Sequence, residues 1–255
     1  MVRLATWNVN SLRVRLPHLL DWLREAKPDL ACLQETKTED AHFPVDELRA
    51  AGYHAVYCGQ KSYNGVAILA RGGLSDVQHG IPNFPDDPKR IIAATYRDMR
   101  VVSVYAPNGQ EPGSDKYAYK LKWYEAFAAW MRDELAAHPL LAAMGDYNVA
   151  PEDRDVHDPE LWRGKILCSR PEREALGVVK DWGFVDAFRQ HNEGEGHYSW
   201  WDYRAGSFRR NTGLRIDHVW LSEPLAARCK RAWIDKGPRG WERPSDHTPV
   251  LVEIA

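Results

Sequence analysis

Cysteine is scarce in this chain and scattered. The 255 residues hold four, Cys32, Cys58, Cys168 and Cys229, with no Cys-x-x-Cys pair among them. That spacing suggests neither a zinc site nor a dithiol redox motif, and reduced thiols in a cytoplasmic protein are the expectation. A positive excess is missing too. The formal net charge is −2, so the whole molecule is no polycation, and any grip on nucleic acid has to come from one local face. No apolar run approaches the ~20 residues that span a bilayer; the longest candidate, LAAHPLLAAM, is broken by His138 and Pro139. No secretory leader is visible, because MVRLATWNVN reads directly as a strand entering a loop. The Gly-Gly-Leu stretch after Arg71 lacks the Lys-Ser/Thr of a phosphate loop, and neither a GxSxG elbow nor an HExxH helix occurs. His18, His42, His54 and His79 share no metal-ligand spacing. Linkers, low-complexity segments and short-period repeats are absent as well.

What is there suits one large domain over residues 1–255: 44% hydrophobic residues, with eleven tryptophans and eleven tyrosines as rigid apolar volume. Short β-rich runs recur between turn residues. They are VRLATWNV, DLACLQE, HAVYCG, GVAILA, RIIAATY, VVSVYAP, LLAAMGDYN, GFVDAF, HYSWWDY, RIDHVWL, AARCKRAWI and HTPVLVEI. Three segments have helical spacing: Leu16, Leu19, Leu20 and Leu23, stopping before Pro28; Leu121, Tyr124, Ala128, Met131 and Leu135, stopping before Pro139; and Pro171 to Trp182, with Gly183 as the stop. Many strands with few helices and no strict βαβ alternation argue against a Rossmann sheet and for an α/β architecture of two packed sheets with helices outside. ATWNVN and MGDYNV both read as a strand running into an asparagine-bearing loop, a weak internal echo.

The polar residues of interest close apolar runs, where strand ends deliver side chains to a common rim. Asn8 and Asn10 follow RLATW, Glu35 follows LACLQ, and Asp146 and Asn148 follow LLAAMG. Ser245, Asp246 and His247 precede TPVLVEI, and Asp217 sits inside the apolar LRIDHVWL. Singly, each has an ordinary reading. Glu35 could be a solvated strand end, Asp217 a structural acid paired with Arg215, and the asparagines turn residues. Together they gather carboxylates whose burial is costly unless a cation offsets it. Oxygen ligands of this kind suit Mg²⁺ or Mn²⁺.

At these residues the chain resembles the exonuclease III family of DNA-repair nucleases, within the endonuclease/exonuclease/phosphatase superfamily. TWNVNSLRVR, LQETK, GQKSYNGVAIL, RIIAATY, VYAPNG, MGDYNVAPEDRD, SWWDYRAGSFRRNTGLRID and PSDHTPV match its signature blocks in order, from Arg3 to Val250. The resemblance implies a four-layer sandwich of two mixed β-sheets flanked by helices. It also implies metal-dependent hydrolysis of DNA phosphodiesters in base-excision repair, at abasic sites or damaged 3′ ends, leaving a 3′-hydroxyl, with 3′→5′ exonuclease as a further activity. By motif, Glu35 is the principal metal ligand, with Asn8, Asn10 and Asp246 near the metal. Asp146 orients or deprotonates the attacking water, Asn148 holds that acid or a phosphate oxygen, His247 faces the phosphate with Asp217 as its partner, and Tyr105 lies on the leaving side. The DNA contacts implied are Lys61, Tyr63 and Asn64, then Trp200, Arg204, Phe208, Arg209, Arg210 and Leu214, where aromatic and basic residues interleave. The partner would be double-stranded DNA with abasic sites, nicks or blocked 3′ ends, bound by a monomer.

One block departs from members that cut strongly at abasic sites. The loop WRGKILCSRPERE has no asparagine, and Ile166, Leu167 and Cys168 are bulky. A bulkier wall would narrow the pocket that a flipped sugar must enter and favour 3′-end processing with little abasic-site incision. Two rival readings stand beside this one: a phosphodiesterase of the same fold acting on RNA ends or lipids, and a non-catalytic DNA-binding module. WWDYR and GLRID speak against the first, the retention of Glu35, Asp146, Asp217 and His247 against the second.

Overall fold

Alternation along the first strand, β1 (Val2–Asn8), sets out the layers of the molecule, a computed structural model describing residues 1–85 and 89–255. Successive side chains point to opposite faces. Leu4 enters an apolar core with Ile68, Met144 and Val219, while Ala5 and Trp7 enter another with Leu19, Trp22 and Leu48. A strand buried on both faces explains why the run reads as almost continuously apolar.

The remaining strands are β2 (Leu30–Gln34), β3 (His54–Cys58), β4 (Val66–Ala70), β5 (Leu74–His79), β6 (Ile91–Tyr96) and β7 (Met99–Tyr105), then β8 (Leu141–Asp146), β9 (Phe184–Asp186), β10 (Asp217–Ser222), β11 (Cys229–Ile234) and β12 (Val250–Ile254). They form two six-stranded sheets, ordered β11-β12-β1-β2-β4-β3 and β5-β6-β7-β8-β10-β9. The helices are α1 (Leu12–Ala26), α2 (Val45–Ala50), α3 (Asp115–Ala137), α4 (Pro159–Trp162), α5 (Arg170–Asp181), α6 (Ala187–His191), α7 (Ser207–Arg210) and α8 (Glu223–Ala226). Helices α1 and α2 cover the outer face of the first sheet, and α3 and α5 that of the second. This is the four-layer α/β sandwich that the motif order implied.

Each sheet has one parallel pair at its centre, β1 with β2 and β7 with β8; β1 also pairs antiparallel with β12, and β8 with β10. Strands β1 and β8 therefore occupy equivalent places, and the echo between ATWNVN and MGDYNV lies on them. Between the layers a polar bridge interrupts the apolar contact. Gln34 accepts from Thr6 Oγ1 (3.2 Å) and donates to Ser103 Oγ (3.1 Å), which donates to the carbonyl of Leu33. Gly145 is obligatory, because a Cβ there would sit 1.8 Å from the Val104 carbonyl oxygen of the neighbouring strand.

The helix boundaries follow the sequence signals. Lys27, left-handed, closes α1 before Pro28 with its amide on Leu23 (3.2 Å). Ser114 caps α3 by accepting from the Tyr117 amide (3.2 Å), and Ser169 with Glu172 forms a capping box on α5. Two readings are corrected. HYSWWDY is no strand, since only isolated bridges form there, Trp200 to Leu214 and to His247. Its backbone groups are divided between Leu214 on one side and Asp246 and Thr248 on the other, with too few on either to build a ladder. Leu74–His79, not expected as a strand, is a bulged edge strand.

Candidate active site

Strand register gathers the site. Tyr105 on β7 and Asp217 on β10 both lie directly opposite Asp146 on β8, and in the other sheet Asn8 on β1 pairs with Gln34, the residue before Glu35. The segment before β12 is tied to the first sheet by Ser245, whose hydroxyl donates to the Asn8 carbonyl (2.7 Å), and by Trp7, whose indole donates to the His247 carbonyl (3.3 Å). Asn10, Glu35 and Asn148 all have left-handed backbones, with φ of 43°, 50° and 49°. Asparagine tolerates this conformation, but glutamate costs about 1–2 kcal/mol there. Hydrogen bonds from Ser11 N to the Glu35 carbonyl (2.7 Å) and from Thr36 N to the Gly65 carbonyl (3.1 Å) hold that turn.

Asp146 is buried and held on both oxygens. The Asn148 amide donates to Oδ1 (2.9 Å), while Oδ2 accepts from Asn8 Nδ2 (2.9 Å) and from Asn148 Nδ2 (3.3 Å). Asn8 Nδ2 also donates to Glu35 Oε1 (2.9 Å), so a single amide links the two acids. Burial pushes the Asp146 carboxyl up to about 7; the His247 charge opposes this, and the negative charges of Asp217 and Glu35 add to it. Glu35, Asp146 and His247 each present a ligand atom, all within 4.8 Å of one another. Crowded carboxylate oxygens with surplus negative charge fit a hard divalent cation.

His247 is clamped from behind. Its Nδ1 lies 2.9 Å from Asp217 Oδ2 and 3.1 Å from Oδ1, and its Nε2 lies 3.7 Å from Asp146 Oδ2. Burial disfavours the imidazolium, but Asp217, Asp146 and Asp246 outweigh it and push its pKa up to about 10. Arg215, the bland partner considered for Asp217, instead serves Asp155 and Asp186. Tyr105 is also buried, with the guanidinium of Arg90 4.7 Å from its ring centre.

Asn10 and Asp246, both expected near the metal, form a second hydrogen-bonded set linked to the Glu35 group. Asp246 accepts from Asn10 Nδ2 (2.9 Å) on Oδ1 and from Trp200 Nε1 (3.0 Å) on Oδ2. Asn10 reaches the Glu35 group by two routes: its amide N–H donates to Asn8 Oδ1 (3.0 Å), and the Lys37 ammonium meets both Asn10 Oδ1 (2.6 Å) and Glu35 Oε2 (2.8 Å). Sequence reasoning missed Lys37. It also missed Asn108, which donates to Asn148 Oδ1 (3.2 Å), and the buried Lys120, which donates to the Asn148 carbonyl (2.7 Å). Lys37 and Asn108 lie inside the LQETK and VYAPNG blocks, a signal that could have found them, whereas Lys120 lies in no such block.

Of the expected DNA contacts, Lys61, Tyr63, Arg204, Arg209 and Arg210 are exposed and Asn64, Trp200 and Phe208 half-buried. The 61–64 loop joins the Glu35 turn through the Lys37 amide on the Asn64 carbonyl (2.9 Å). The 203–210 segment joins the Asn10 side through Tyr203, whose hydroxyl accepts from Asn10 Nδ2 (3.3 Å) and donates to the Pro244 carbonyl (3.0 Å). Leu214 is a correction: it is fully buried with Val156, Ile216 and Trp200, so it backs the wall rather than presenting to a ligand. Leu167 and Cys168 also turn inward, leaving Ile166 alone of the three half-buried.

This constellation of paired carboxylates, a braced imidazolium and amide donors on the rim of a two-sheet sandwich defines a phosphodiester hydrolase, and the chain belongs to the endonuclease/exonuclease/phosphatase family, whose model matches residues 5–247. Among individual proteins it is 34% identical to exodeoxyribonuclease III of Haemophilus influenzae, over 99% of this chain and all of the relative. Its fold superposes at a TM-score of 0.98 on a Neisseria 3′ phosphatase, NExo, solved with a product DNA hairpin, at 44% identity and full coverage of both chains. It superposes at 0.97 on an AP endonuclease from Archaeoglobus fulgidus, 38% identical over 100% of this chain and 99% of the other. Among the described residues, no helix is long and apolar enough to cross a membrane.

Proposed function

We propose that this chain is a metal-dependent DNA phosphodiesterase of the exonuclease III type, which acts on abasic sites or damaged 3′ ends and leaves a 3′-hydroxyl. The observation that carries the reading is the convergence of Glu35, Asp146 and His247 within 4.8 Å, from both sheets. A phosphodiester anion repels nucleophiles, so the site has to neutralise charge and supply a base. His247, kept cationic by Asp217, donates from Nε2 to a non-bridging phosphate oxygen. Asp146, fixed by Asn8 and Asn148, accepts the proton of the attacking water. Tyr105 borders the departing oxygen. Glu35, with Asn8 beside it, would hold Mg²⁺ or Mn²⁺, which when bound supplies further charge neutralisation at the phosphate. Asp146→Asn and Glu35→Ala should each lower kcat by about 10²–10⁴-fold on a nicked duplex, with Tm little changed. A wild-type rate in either folded variant would sink the assignment.

One observation favours 3′ ends over abasic sites. Ile166 is half-buried against the cluster of Val156, Leu167 and Leu214 and close to Gly109, where a Cβ would meet its Cδ1 at 3.1 Å, and we take this bulk to narrow the space beside the site. An extruded sugar needs that room, whereas a 3′ terminus does not. Rates on a 3′-phosphate nick should exceed those on an internal abasic duplex, and Ile166→Gly should narrow the gap. Equal wild-type rates on the two substrates would remove this preference.

A further inference from the structure

Ser199 is fully buried beside Asp217, and its hydroxyl has no freedom left. Its Oγ accepts from the amide N–H of Ile216 (3.1 Å) and of Asp217 (3.0 Å), and lies 2.6 Å from Asp217 Oδ2. A serine hydroxyl has two lone pairs and one hydrogen. Both lone pairs are occupied by N–H groups, so its proton can go only to the carboxylate. Asp217 is thereby obliged to accept at Oδ2 from the serine side, and it meets His247 Nδ1 through both oxygens. With Asp217 ionised, His247 donates from Nδ1 and its Nε2 is turned toward Asp146.

The same short segment reaches further. The Ser199 carbonyl accepts from the Thr248 amide (2.8 Å), the Trp200 indole donates to Asp246 Oδ2 (3.0 Å), and the Trp201 amide donates to the Asp246 carbonyl (3.0 Å). Three consecutive residues therefore bind the strand end that carries Asp217 and the turn that carries Asp246 and His247. Trp200 is also a half-buried aromatic residue on the side expected to meet DNA.

We propose that Ser199 is a positioning residue that fixes the direction of the hydrogen bonds through Asp217 to His247, and that with Trp200 it joins the DNA-facing wall to that pair. The proposal deepens the function assigned above and rests on it for the substrate. A hydrogen bond to a charged group contributes about 1.5–3 kcal/mol, so Ser199→Ala should lower kcat on a 3′-phosphate nick by about 10–100-fold, with KM within about twofold. Ser199→Thr keeps the donor and should restore most of the rate. In an Asp217→Asn background, Ser199→Ala should cost less than about twofold, because the group it serves is gone.

A second measurement needs neither metal nor DNA. In protein carrying ¹⁵N-labelled histidine, the His247 Nδ1–H resonance should move in Ser199→Ala and return in Ser199→Thr. An unmoved resonance, or a rate loss of equal size in the wild-type and Asp217→Asn backgrounds, overturns the proposal. Should Ser199→Ala not fold, Ser199→Cys, of similar shape with a weak donor, takes its place; activity equal to Ser199→Thr would then count against the role. Absence of turnover by the wild-type chain would strike the functional reading alone, since the resonance is read without substrate.

Discussion

His218 and His247 are both buried, yet the fold treats them oppositely. Burial disfavours the imidazolium at each, and the neighbours then decide. At His247 three carboxylates outweigh burial, whereas at His218 the Arg215 guanidinium adds to it and the pKa falls to about 4. Arg215 Nη1 has only protons to give, so His218 Nδ1 (3.0 Å) accepts, and Nε2 carries the hydrogen donated to the Val149 carbonyl (2.9 Å). This neutral ring ties β10 to the loop after Asp146. Because the folded pKa lies below the unfolded value of about 6.5, the unfolded chain binds the extra proton first. The stabilisation is complete above pH ~6.5 and is lost as pH falls toward ~4, amounting to about 3 kcal/mol. Urea titrations at pH 7.5 and 4.5 should show a wild-type loss exceeding that of His218→Asn by about this amount; parallel losses would refute it. Asp155, held down to about 2 against the pull of burial by Arg215 and Arg189, adds a further loss below pH ~4 with the same sign.

At the scale of elements, α3 and α5 meet over a buried ion pair. Lys120 of α3 reaches Glu172 of α5 as well as the carbonyls of Asn108 (3.0 Å) and Asn148 (2.7 Å), while Glu172 accepts from the amides of Leu167 (3.0 Å) and Ser169 (3.0 Å). Removing one member leaves an uncompensated buried charge. Lys120→Met should therefore cost about 3–5 kcal/mol in urea unfolding and slow turnover by freeing Asn148; a cost below ~1 kcal/mol would show the pair to be dispensable. Nothing in the sequence announced this pair. Periodicity revealed α1, α3 and α5 because each is long enough to repeat an apolar face, and prolines marked two of their ends. Helices of four or five residues such as α4, α6, α7 and α8 complete no such repeat. β5 escaped because LSDVQH is a mostly exposed, bulged edge, and HYSWWDY misled because aromatic residues suit strands and long-range hydrogen bonds alike. Asn8, Glu35 and Asp146 were legible since each ends an apolar run. Ser199 and Lys120 were not, since their significance lies in partners distant in the chain.

Taken whole, the molecule carries a net charge of −2 and must concentrate its attraction for a polyanion. The exposed Lys61, Arg204, Arg209 and Arg210 flank the site on the two segments anchored to Lys37 and Tyr203. Each phosphate they neutralise should contribute about −0.9 to the slope of log affinity against log salt. Between 50 and 200 mM salt, kcat/KM should thus fall by about 10–100-fold if two to four phosphates are engaged, and Arg209→Ala with Arg210→Ala should flatten the slope; salt-independent turnover would exclude backbone gripping by this face. The layered build has one more consequence. Asn8, Glu35 and His247 ride on one sheet, Tyr105, Asp146 and Asp217 on the other. Apolar contact between layers is non-directional, whereas the hydrogen bonds that cross between the sheets, Gln34 to Ser103 and Asn8 to Asp146, are directional and act as rivets against shear. Alignment of the two sets of side chains therefore depends on how firmly two slabs are pinned, and on the proposed roles a slip of about one ångström would cost about 100-fold in rate with every strand still intact.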